Sequence, residues 1–224
     1  MPAITPAMVK DLRERTGAGI NDCKVALQEN DGDAEKAIEY IKKKGLAKVA
    51  KKAGAIAAEG VVHAYIHPGS RIGVLVEVNC QTDFVARSPD FTGFVDVVGM
   101  QIASMGAQYV RREEVPQADI EKQSEIFKAQ MAEEAATTGK TKPADVIAKI
   151  AQGKVDKWLD EVCLDGQPLI TDQEKTIAQT AGELSAKIGE KISVRRFVRF
   201  ELGEGIEKKT TDLAAEVAET LKGN

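Results

Sequence analysis

At Glu59 the apolar residues change their spacing, and this limits the fold more than any other feature of the chain. Before it they recur every three to four positions, and after it at every second position, so a helical section is followed by a strand-bearing one. Val62, Ala64 and Ile66 alternate with polar or aromatic neighbours. His67-Pro68-Gly69-Ser70 has turn chemistry, and Ile72, Val74, Val76, Val78 and Cys80 alternate again. The pattern predicts a β-hairpin with one packed face. Two strands are marginal alone, so the distant run Ile192–Leu202 is expected to complete an antiparallel three-stranded sheet. Strict alternation there puts Ile192, Val194, Val198, Phe200 and Leu202 on one face and Arg195 and Arg199 on the other. The fold class is α+β, with further helices packed on the sheet.

Residues 1–45 read as a three-helix domain. Thr5-Pro6 supplies a hydroxyl cap and a proline at the first helical position; Met8, Val9 and Leu12 follow at helical spacing through Arg15. Gly17-Ala18-Gly19 breaks that helix, Asn21 is a candidate cap for a second, and Asp33 for a third ending at Gly45. Acidic and basic residues balance in this section at eight each, so its use is to present a helix face or loop to a protein rather than to attract a charged target. Residues 46–58, LAKVAKKAGAIAA, read as a solvated linker, and 59–203 as the core. Within the core, helices are expected at Pro89–Met105 and Asp172–Ile188. Asp119–Thr137 and Pro143–Cys163 form a helical hairpin, at about 119–163, around the polar turn TTGKTK. Ile120, Phe127 and Met131 stripe one arm; Ile147, Ile150, Trp158 and Val162 stripe the other. Residues 204–224 form a C-terminal module closed by an amphipathic helix, Thr211–Leu221.

Composition excludes several function classes. A net charge of −4 with 4% aromatic residues lacks the basic, stacking surface of a nucleic-acid binder, so a protein partner is the better default. No apolar run is long enough for a bilayer, and the charged N-terminus is unlike a signal peptide. Three widely spaced cysteines, Cys23, Cys80 and Cys163, suit reduced thiols in a cytoplasmic setting. No phosphate-binding GxxxxGKS or GxxxxGKT loop occurs. His63 and His67 lack a third metal ligand nearby, and Cys80 ends a strand among buried valines. No cofactor, metal or catalytic residue is expected, and the chain reads as a non-enzyme.

One stretch remains, NCQTDFVARS at residues 79–88. Thr82 or Asp83 can cap a helix while Phe84 and Val85 enter the core. Alternatively Asp83 and Phe84 project at a strand-to-helix corner and act on another molecule.

These residues also carry a resemblance. VKDLRERTGAGINDCKVALQENDGDAEKAIEYIKKKG, IAAEGVVHAYI, GVLVEVNCQTDFVAR and RFELGEGIEKKTTDLAAEVAE, in this order, resemble the bacterial elongation factor Ts family, the guanine nucleotide exchange factors of elongation factor Tu. The resemblance implies a ubiquitin-associated-like N-terminal bundle, a core with an antiparallel sheet and an inserted helical hairpin. It implies that the N-terminal domain and the last helix grip elongation factor Tu, with Val9, Leu12 and Arg13 as candidate contacts. It further implies that Thr82, Asp83, Phe84 and Val85 disturb the magnesium and phosphate region of the partner's nucleotide site. Only one hairpin of the GVLVEVNC type is present, which matches the short form of the family with a single core half; a homodimer could supply the second. Two other classes stay open: an adaptor that binds without changing nucleotide release, and an enzyme using Cys80.

Overall fold

The computed structural model describes residues 4–51, 54–139 and 143–206. The expected Thr211–Leu221 helix lies outside them.

Helix α1 (Pro6–Thr16) starts as its sequence directs. The Thr5 hydroxyl accepts from Met8 N at 3.3 Å, Pro6 opens the first turn, and Gly17 closes the helix in the left-handed region. Helix α2 (Ile20–Glu29) is capped by Gly19, so Asn21 lies inside it rather than at its cap. Helix α3 (Ala34–Lys51) is capped by Asp33, whose Oδ1 accepts from Glu35 N and Lys36 N. Leu12, Cys23, Ala26, Leu27 and Ala37 form the core of this bundle.

Helix α3 does not stop at Gly45, and 46–51 are helical rather than linker. Leu, Ala and Lys are good helix formers, and Gly45 serves a different purpose from capping. A Cβ at Gly45 would sit 2.7 Å from the Ala186 Cβ on helix α8 (Ile177–Ile188), so the missing side chain lets the two helices cross closely. Helix α8 is shorter than expected from Asp172: Thr176 begins it with a capping box to Gln179.

Strands β1 (Glu59–Ile66), β2 (Ile72–Cys80) and β3 (Ser193–Glu201) form one antiparallel sheet in the order β1-β2-β3, so the distant strand does complete it. Helix α5 (Pro89–Met105) covers one face and sends Phe91, Phe94, Val95, Val98 and Ile102 against Val74, Val76, Val78 and Cys80. Helix α6 (Gln117–Thr138) packs on helix α7 (Ala144–Val162) as the expected hairpin, around Val155, Leu159 and Val162, with Ile120, Phe127 and Trp158 half-buried beside them. No helix among the described residues is long and apolar enough to cross a membrane.

The outer strands correct the alternation reading twice. On β1 it is Val61 and Tyr65 that pack on the core, whereas Val62, Ala64 and Ile66 are exposed. On β3, Arg195 and Arg196 together oppose Glu77, a bulge that inserts one residue into the register. Ile192 and Val194 face the core before it and Phe197 packs there after it, which turns Val198, Phe200 and Leu202 outward. The expected common face for these five residues therefore does not form.

The bulge is pinned electrostatically. Arg195 Nη1 donates to Glu77 Oε1 at 2.8 Å and Arg196 Nε to Oε2 at 2.7 Å. These bonds, that of Arg195 first, hold the Glu77 carboxyl down from 4.5 to about 2. A carboxylate depressed in the folded state stabilises above its unfolded pKa, and that stabilisation fades as pH falls through the folded value. The Glu77→Gln variant should be less stable than wild type at neutral pH and should lose less stability between pH 4.5 and 2. Denaturant melts across that window check it. A wild-type slope in the variant would rule the pair out as the source.

Candidate functional site

The corner after β2 is built from two helix starts in quick succession. Thr82 keeps extended backbone and caps the single turn α4 (Asp83–Ala86), its Oγ1 accepting from Val85 N at 3.4 Å. Ser88 then caps α5, accepting from Phe91 N at 3.4 Å while its own hydroxyl donates to Val85 O at 2.8 Å. With both ends of the turn fixed, one side of α4 must face the core and the other must face out.

The four residues divide accordingly. Val85 is 7% exposed, and with Ala86 joins the core beneath the sheet. Phe84 is 83% exposed, an aromatic ring held off the surface on a short, doubly capped turn. Asp83 is also exposed, in the first turn of α4, with Arg87 Nη2 2.9 Å from its Oδ2. Thr82 is exposed as well, but its hydroxyl is engaged within the chain, capping α4 and donating to Glu190 Oε1 at 2.8 Å. The cap is thus Thr82 and not Asp83, and Asp83 and Phe84 are free to meet another molecule.

Glu190 and Gln81 are the residues that sequence reading missed. Glu190 Oε2 accepts from Gln81 N and Thr82 N, both at 3.1 Å, and Lys191 N donates back to Gln81 Oε1 at 3.2 Å. The only local signal is the position of Glu190 just after Gly189, the left-handed cap of α8.

Cys80 lies under the corner as a structural thiol. It is fully buried, its Sγ donates to Thr82 O at 3.1 Å, and burial pushes its pKa up, so the nucleophile reading has no support. His63 Nε2 lies 3.3 Å from Asp96, and His67 Nδ1 3.2 Å from the Tyr65 hydroxyl. Among the described residues there is no cluster of three or more histidine, cysteine or carboxylate groups able to hold a metal.

A second surface lies on the N-terminal bundle. Val9 and Arg13 line a shallow groove with Ile4, Lys10, Ile20 and Lys24. Ile20 is strongly exposed for an isoleucine, while Leu12 is fully buried beneath α1 and supports this face from below.

Comparison with known proteins gives a consistent result. A family model described as elongation factor TS matches residues 24–204. The chain is 55% identical to elongation factor Ts of Desulforamulus reducens over 222 residues, covering 99% of this chain and all of that protein. It is 57% identical to elongation factor Ts of Carboxydothermus hydrogenoformans, covering 99% of each. With elongation factor Ts of Geobacter metallireducens it shares 54% identity over 96% of this chain and 97% of that one. The chain therefore belongs to the elongation factor Ts family, the nucleotide exchange factors of translation elongation.

Proposed function

We propose that this chain binds elongation factor Tu in its GDP state and promotes GDP release by setting Phe84 and Asp83 against the magnesium and phosphate region of the partner's nucleotide site. The observation that carries this reading is a large aromatic side chain held almost fully exposed on a turn capped at both ends. An unpartnered Phe in that position gains apolar contact only from another molecule. Exchange needs no reacting side chain; it needs tighter binding to the nucleotide-free or distorted partner than to the nucleotide-bound one. By linkage, whatever factor the chain subtracts from the partner's nucleotide affinity, nucleotide subtracts from the chain's own affinity. An aromatic wedge displaces packed side chains, and a carboxylate beside a bound cation competes for its charge. Val85 serves the same site from within as its anchor, and Thr82, exposed beside Asp83, as its cap. The groove beside Val9 and Arg13 supplies grip away from the nucleotide. The acceleration of fluorescent GDP release from elongation factor Tu, measured against chain concentration, tests the reading; binding with an unchanged release rate would leave an adaptor instead.

We also propose a second copy of this chain as the cover for the outer face of the sheet. Val62, Ile66, Leu75, Val198 and Phe200 are exposed together there, around the group of Glu77 with Arg195 and Arg196. Two such faces related by a two-fold axis can pack as a sandwich and place the arginines of one opposite the glutamate of the other. Light scattering at tens of micromolar should give the mass of a dimer, and Phe200→Asp that of a monomer. A wild-type monomer at that concentration would sink the proposal.

A further inference from the structure

We propose that Glu190 is a positioning residue for nucleotide exchange: it fixes the corner at Gln81 and Thr82 so that Phe84 reaches the partner already aimed. This rests on the reading of Phe84 as the wedge, and adds a residue distant in sequence through which the wedge is held.

The carboxylate of Glu190 takes three donors, all from the corner: the Gln81 and Thr82 amides at 3.1 Å each, and the Thr82 hydroxyl at 2.8 Å. The two amides are those left over where β2 has ended and α4 has not begun, so the acceptor replaces the missing secondary structure. The hydroxyl contact does more. Thr82 has one hydroxyl proton, and directing it at Glu190 leaves a lone pair turned toward Val85 N, which it accepts at 3.4 Å. Glu190 thereby orients the cap that starts α4. The start of α4 decides which of its side chains point inward, Val85, and which outward, Phe84.

The support behind Glu190 is firm. It follows Gly189, whose φ of 83° ends α8, and its neighbour Lys191 returns a backbone bond to Gln81. Helix α8 is held at other points as well, by Lys187 Nζ to Asp90 Oδ1 at 2.8 Å and by the close crossing with α3 at Gly45. The element that carries the gripping bundle is thus the one that steadies the wedge. With the bundle supplying the grip, the ordering of a loose wedge would be met when Phe84 inserts, so the benefit of Glu190 belongs in the exchange step more than in the grip. Glu190 touches neither nucleotide nor reacting atoms, and acts only through Thr82 and Phe84.

The test uses the full chain, with Glu190→Ala, Glu190→Asp and Glu190→Gln each made alone, and Glu190→Ala also combined with Phe84→Ala. Release of fluorescent GDP from elongation factor Tu is followed across factor concentrations. Glu190→Ala should lower the limiting rate about tenfold while the half-saturating concentration moves less than about twofold. Glu190→Gln should recover only part of the rate, because its amide oxygen still accepts from the Gln81 and Thr82 amides while its NH2 faces the Thr82 hydroxyl and cannot accept that proton. Glu190→Asp keeps the charge but withdraws it by a methylene, so it should be slow; it decides the question if the alanine variant does not fold. In the Phe84→Ala background Glu190→Ala should have little further effect, since both act through one element. A wild-type limiting rate in Glu190→Asp or Glu190→Ala overturns the proposal. So does a shift confined to the half-saturating concentration, or equal slowing in both backgrounds. A wild-type rate in Phe84→Ala alone overturns the wedge reading itself. That outcome is distinct from one in which Phe84→Ala is slow and the Glu190 variants are not.

Discussion

Replacing Phe84 by alanine should leave the melting temperature nearly unchanged and slow GDP release from elongation factor Tu by about 30-fold. The rate expectation corresponds to roughly 2 kcal/mol, the range for an aromatic anchor at the centre of an interface. The stability expectation follows from exposure: at 83% exposed the ring buries almost nothing, and surface changes of this kind stay within about 0.5 kcal/mol. Removing the side chain also leaves α4 intact, because its caps are the hydroxyls of Thr82 and Ser88. Asp83→Ala should act in the same direction with little loss of stability, since Asp83 is not the cap and its pair with Arg87 is exposed. Melting curves beside nucleotide-release traces decide the matter. A large drop in melting temperature with normal exchange by the folded fraction would return Phe84 to a structural role.

Phe91 should behave in the opposite way. It stands on α5 in the same stretch of chain, is fully buried, and packs among the valines of the sheet. Phe91→Ala removes that burial and leaves a cavity, for which a loss of about 3–5 kcal/mol is expected. In a chain of this size that lowers the melting temperature by about 10 °C. Exchange by the protein that remains folded should stay close to wild type at low temperature, because no contact to the partner is lost. A Phe91→Ala protein with unchanged melting would mean that the core around α5 relaxes to fill the space, contrary to the close packing of Phe91 on the sheet.

Much of the architecture was legible because its causes are local. Thr5, Pro6 and Gly17 bracket α1, Asp33 starts α3, and Ser88-Pro89 starts α5, each through side chains that reach only to the next turn. The candidate site was legible in part. The run from Thr82 to Val85 stands out as the end of an alternating strand, but the sequence left open which residue caps and which projects. The bulge on β3 was not legible. Strict alternation assigned Val198, Phe200 and Leu202 to the core face, and a single extra residue opposite Glu77 reversed them. Glycine ends many helices, but Gly45 instead marks the place where α8 comes close.

The α+β class, the three strands, most helix starts and the family to which the chain belongs are all written in the order of its residues. Those follow from spacing and from short motifs, which depend on neighbours along the chain. The tertiary structure alone decided the outward face of β3, the exposure of Phe84 beside a buried Val85, and the clamp of Glu190 on the corner. Glu190 and Gln81 lie 109 positions apart, and no periodicity links them. Their meeting depends on β3 pairing with β2 and on α8 ending at Gly189. Side-chain period records which way a residue points relative to its own element; only packing between elements decides what it meets there.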